Sequence, residues 1–168
     1  MKALLKSIGL AGIILLSVSC ASTKKAAETS NKKYELEALN TGVQGTYLVK
    51  VWTYSKNPMP NFNQVKKDAI HGILFKGFPG KSGIPGQVAL VSDPNAETEK
   101  ADFFKTFFSD GGEYLKYINL VNEGAIAAED RIKTGKEYKI GIVVSVNVSS
   151  LRKYLESMGV IKSLDAGF

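Results

Sequence analysis

Apolar and polar side chains alternate most regularly in two stretches. In "GTYLVKVWTYS", residues 45–55, Tyr47, Val49, Val51 and Thr53 share one face and Leu48, Lys50, Trp52 and Tyr54 the other, which predicts a β-strand stopped by Asn57-Pro58-Met59-Pro60. In "EYKIGIVVSVN", residues 137–147, Tyr138, Ile140, Ile142, Val144 and Val146 form a uniformly apolar face, and Lys139, Gly141, Val143, Ser145 and Asn147 form the reverse. Shorter apolar runs predict further strands at "QVALVS", residues 87–92, and, overlapping a helical pattern, at "EYLKYINLV".

Three stretches switch to helical spacing. Phe62, Val65, Ala69 and Ile73, with Ile70 and Leu74 alongside, predict a helix capped by Asn61 or Asn63 and ended by Gly77. "AETEKADFFKTFFSDGG" predicts a second, with Ala101, Phe104 and Phe108, and Phe103 and Phe107, in one broad stripe ended by Gly111-Gly112. Leu151, Leu155 and Met158 predict a last helix, with Ser149 or Ser150 as its cap and Gly159 after it. Only one face of the 137–147 strand is apolar throughout. The expected fold is therefore α+β: a two-layer sandwich with a mainly antiparallel or mixed sheet of about four strands and about three helices on one face.

The first nineteen residues follow a different logic. Lys2 and Lys6 precede an uncharged apolar run, and small residues lead into Cys20, the only cysteine of the chain. The run is shorter than the ~20 residues a spanning helix needs, so it reads as a cleaved signal peptide. The stretch "LLSVSCAST" resembles a bacterial lipoprotein signal, in which a small residue precedes a cysteine that is lipidated and then becomes the mature N-terminus. Leu is preferred at the third place before that cysteine. Here Ser17 holds the place, with Leu16 one further out. The resemblance implies diacylglycerol on Cys20, and Ala21 rather than Asp after it implies outer-membrane sorting, facing either the periplasm or the outside. The competing reading is a plain secretory signal cut elsewhere, with Cys20 incidental.

Residues 21–33, "ASTKKAAETSNKK", hold four lysines and no large apolar side chain, so they form a tether rather than part of a core. The predicted organisation is thus a signal peptide at 1–19, a lipidated flexible tether at 20–33 and one globular domain at 34–168. Cleavage lowers the basic count from 22 to 20 against 16 acids, a charge of +4 concentrated in the tether. The globular part is then about neutral, which argues against a nucleic-acid partner.

Candidate chemistry is sparse. "GFPGKSGIPG" contains Gly80-Lys81-Ser82, but the P-loop spacing needs a glycine where Phe75 stands, so no nucleotide site is expected. The stretch reads as a connector turning on its glycines and prolines, with contact to a partner through Lys81 as its functional alternative. His71, the only histidine, falls off the apolar stripe of its helix and is expected to be solvated; alone it can build neither a triad nor a multi-histidine metal site. The pairs Glu35 and Glu37, and Glu129 and Asp130, are expected to be exposed carboxylates. Asp93, Asn95, Glu97 and Glu99 lack the glycine and distal Glu of a calcium loop. No cofactor and no metal is expected, and no catalytic set can be named.

The aromatic residues say more. Trp52 and Tyr54 share a strand face with Lys50. The ordinary outcome is that a helix covers Trp52; left bare, the face becomes a binding platform. As a whole the chain resembles small outer-envelope lipoproteins of Gram-negative anaerobes. More remotely, "YLVKVWTYSKN" followed by "VKKDAIHGILFKG" is similar to the strand and helix that open flagellar and secretion-accessory lipoprotein domains. That likeness implies an assembly role and transfers no site residue. The function expected is a lipid-anchored, non-catalytic interaction or scaffold module, bound to the membrane and to another envelope protein. The alternative is a small-ligand or glycan binder using the Trp52 face or the 77–86 loop.

Overall fold

The computed structural model describes residues 33–163, apart from Gln44. The signal peptide, Cys20 and nearly all of the tether lie outside the described residues.

A five-stranded antiparallel sheet carries the fold. Its strands are β1 (Tyr34–Thr41), β2 (Thr46–Ser55), β3 (Ile118–Leu120), β4 (Arg131–Thr134) and β5 (Glu137–Asn147). β5 lies beside β2, and β2 beside β1; β3 and β4 share the other flank of β5, at its two ends. The helices are α1 (Phe62–Phe75), α2 (Ala96–Glu99), α3 (Ala101–Phe107) and α4 (Val148–Ser157). The fold is α+β, as the periodicity predicts.

The two best-patterned strands pair along their whole length, Val49 opposite Val144 and Val51 opposite Ile142. Their apolar faces, with Ala38 of β1, meet Val65, Ala69, Ile70 and Ile73 of α1 and Leu151 and Leu155 of α4 in one core. α1 is capped by Asn61, whose side chain accepts from the amides of Asn63 and Gln64. Gly77 follows its end at φ 68°.

Several expectations are corrected. "QVALVS" is not a strand: the amides of Leu90 and Val91 donate to the carbonyls of Ile73 and Leu74, so the segment satisfies the last-turn acceptors of α1 instead of joining the sheet. "EYLKYINLV" divides into a 3-10 turn at Glu113–Tyr117 and the three-residue β3. The second predicted helix breaks at Lys100 (φ −109°, ψ 33°), which leaves Ala101 exposed while Phe104 and Phe107 are buried. The cap of α4 is Asn147, which accepts from the Ser150 amide, and the Ser149 amide is bonded to the Gly45 carbonyl. β1 and β4 were not foreseen.

Candidate functional site

Among the described residues no helix covers the face of β2 that bears Trp52. α1 packs on the opposite face, over Val49 and Val51, so the expectation that Trp52 lies beneath a helix is corrected. The indole takes its seat from Gly141, its partner across β2 and β5. A Cβ at Gly141 would stand 3.1 Å from Trp52 and from Lys50, and 3.2 Å from Asp130. The missing side chain is what lets these three groups close over β5.

Charge surrounds the indole in pairs. Lys50 Nζ donates to Asp130 Oδ1 at 2.6 Å, and Lys139 Nζ to Glu35 Oε2 at 2.8 Å. The same two ammonium groups stand 5.4 Å and 5.2 Å from the Trp52 ring, within cation–π range. Lys139 also lies 5.8 Å from Tyr54, its neighbour across the strands. The Asp130 side chain is only 9% exposed, which corrects the expectation of a solvated carboxylate there.

Glu37 joins two residues that sequence reasoning singled out separately. Its Oε2 accepts from the Trp52 indole at 2.9 Å, and its Oε1 accepts from Lys81 at 2.5 Å. Lys81 first and Trp52 second hold this carboxyl below the usual glutamate range. Lys81 is brought there by a short hairpin rather than a loose connector. Phe78 and Gln87 exchange both backbone bonds, as do Lys81 and Ile84, around a turn in which Ser82 (φ 51°) and Gly83 (φ 81°) are both left-handed. Gly80 and Gly86 let the two arms touch, since a Cβ on either would lie 2.6 Å from the facing backbone.

Thus Trp52, Tyr54 and Lys81 share one surface, and the residue linking Trp52 to Lys81 is Glu37, expected only to be an exposed carboxylate. Its alternation with Ala38 and Leu36 was the available signal. The charged groups around the indole are internally paired, and a cavity of about 440 Å³ adjoins them, lined by Lys33, Tyr34, Glu35, Tyr54, Thr134 and Glu137.

The second site is one the sequence hid. His71 is buried, not solvated: its Nδ1 lies 2.6 Å from the Tyr34 hydroxyl and its Nε2 3.0 Å from Glu97 Oε1. The ring also touches Phe75 and Phe108. Asp68, likewise buried, accepts from Gln64 at 2.7 Å. Burial, then the charges of Asp68 and Glu97, push the Tyr34 hydroxyl well above its ordinary pKa, so it stays protonated. The cluster ties the first strand to α1 and α2. Its position inside the fold suits a structural tie better than contact with a substrate.

Among the described residues no group of three or more His, Cys, Asp or Glu side chains could hold a metal ion, and no helix is long and apolar enough to cross a membrane. No protein-family model, no curated protein and no solved structure matches the chain.

Proposed function

We propose that the chain is a lipid-anchored protein of the bacterial outer envelope whose folded unit is a non-catalytic interaction module. The anchor rests on the signal-like N-terminus and Cys20. The observation that carries the module is the Trp52 face, which no helix covers among the described residues. A half-buried indole held by Glu37, flanked by Tyr54 and bordered by paired charges, has the composition of a protein-docking centre, where Trp and Tyr supply contact area and the rim supplies charge.

A surface whose charged groups are already paired suits a protein better than a small molecule. Small ligands call for a concave site with several polar groups converging on one point. Here the carboxylates and ammonium groups nearest Trp52 bond one another. A stacking sugar would also have to share the indole with two lysines.

A photoreactive amino acid at Tyr54, introduced into the full-length chain in cells, tests the reading. A protein adduct of defined mass is expected, weakened by Trp52→Ala and missing when the probe is at Val43, at the far end of β2. Adducts carrying only glycan, or a protein adduct indifferent to Trp52→Ala, would contradict it.

A further inference from the structure

The folded unit is close to neutral overall, yet its cations are unevenly placed. Tyr34 opposes Thr53, and Thr53 opposes Ile140, so the start of β1, the end of β2 and the start of β5 lie at one end of the sheet. Lys33 stands there, where the chain enters the fold. Lys56 follows the end of β2, and Lys133 and Lys136 flank the turn between β4 and β5. Arg131 opens β4, and its guanidinium lies 4.0 Å from the sulfur of Met59, which brings the loop after β2 into the same surface.

Among the described residues none of these five cations is in an ion pair. The acids nearby are Glu129 and Glu137; Asp130 is taken by Lys50 and Glu35 by Lys139. Two large apolar side chains also stand out from this end, Met59 at 54% and Ile132 at 47% exposed. Every residue of β4 is exposed. A strand that projects alternating cations and an isoleucine into solvent gains nothing from the core.

We propose that this end of the sheet docks on a membrane surface rich in anionic phospholipid, with Met59 and Ile132 entering the headgroup layer and the five cations facing lipid phosphate. The proposal rests on the lipid-anchored reading above. Its physical basis is charge complementarity together with connectivity. Basic clusters are drawn to anionic leaflets within about a Debye length, and apolar side chains add burial at the interface. The tether joins the fold at this same end, at Lys33, and even fully extended its thirteen residues reach at most about 45 Å. An anchor so close raises the effective concentration of the surface, so weak docking suffices. The docked orientation turns the β1–β2 turn, with Val43, toward the opposite side and leaves the Trp52 face running along the membrane normal.

The test uses the full-length protein as isolated from membranes, with a photoreactive amino acid at Met59 or at Val43. It is mixed with vesicles of neutral phosphatidylcholine, or of the same lipid with ~30% phosphatidylglycerol. Flotation with neutral vesicles reads the anchor, and lipid adducts read the docking. The expected result is at least about fivefold more lipid adduct at position 59 on anionic than on neutral vesicles, and little at 43 on either. The double variant Lys133→Glu, Lys136→Glu should float normally yet lose that excess. Equal adducts at 59 and 43, or an excess indifferent to the double variant, would overturn the docking while leaving the anchor intact. A protein that fails to float on neutral vesicles would refute the anchor alone. Docking would then be judged by flotation on anionic vesicles, upheld if charge reversal abolishes it and overturned if there is none.

Discussion

The Tyr34 hydroxyl and His71 Nδ1 are 2.6 Å apart in the interior, joining the first residue of the first strand to the middle of α1. With Nε2 directed at Glu97, both ring nitrogens are engaged and the imidazole bridges three elements. His71→Ala should therefore cost about 2–4 kcal/mol, from the cavity and the buried polar groups left behind. Denaturant titration checks this. A solvated histidine would change stability by less than about 0.5 kcal/mol.

Alkaline pH should weaken the fold through Tyr34. Its hydroxyl is raised in the folded state, chiefly by burial, so above about pH 10 the unfolded chain releases a proton that the folded chain keeps. Stability is fully present below that pH and declines as pH rises past it. Tyr34→Phe should lower stability at pH 7 by about 1–2 kcal/mol and make the alkaline decline shallower. Tyr114, Tyr117 and Tyr154 are also raised by burial, so part of the decline persists. Melting temperatures from pH 8 to 11 measure both effects, and an unchanged alkaline slope would count against the assignment.

Glu37 should act in the opposite direction. Lys81 and Trp52 lower its pKa in the folded state, so its contribution is complete above the ordinary glutamate range and is lost as pH falls through the depressed folded value. Trp52 is the only tryptophan, so its emission reports the event directly. Wild type should show an emission change on acidification that precedes unfolding, and Glu37→Gln should not. The difference in stability between the two proteins should also narrow as pH falls.

The elements legible in the sequence are those whose own residues pay the whole cost of ordering. β2 and β5 alternate cleanly, and α1 and α4 carry complete apolar stripes. β1 is different. "YELEALNT" mixes Glu, Leu and Ala, which favour helix, and it becomes a strand because β2 offers an edge and Gly72 of α1 lets Leu36 and Tyr34 close in. A Cβ at Gly72 would lie 2.4 Å from Leu36.

The same distinction separates the sites. Trp52, Tyr54 and Lys81 could be named one at a time from residue type and strand face. The joining of Trp52 to Lys81 through Glu37 depends on β1 and on the Lys81 hairpin, both tertiary. His71 misled because helical spacing sets it beside Lys67 and Gln64, whereas its burial comes from Tyr34 and α2, distant in sequence. "QVALVS" misled for a related reason: its apolar pattern is real, but its amides serve the end of a helix.

Leu155 lies wholly within the core, on α4. Leu155→Ala should cost about 2–5 kcal/mol and lower the yield of folded protein, without selectively changing partner contacts made through Trp52. Unchanged denaturant stability combined with lost crosslinking would make α4 an interface instead.

The proposed anchor at Cys20 underlies both the proposed envelope location and the proposed docking of the basic end, and one measurement reaches it directly. Cells expressing the full-length chain or its Cys20→Ala variant are given labelled fatty acid, and the mass and label of the product are compared. The account predicts label in the wild-type protein, shortened by removal of residues 1–19, and an unlabelled, uncleaved variant. Equal labelling of the two proteins, or normal cleavage of an unlabelled wild type, would contradict it.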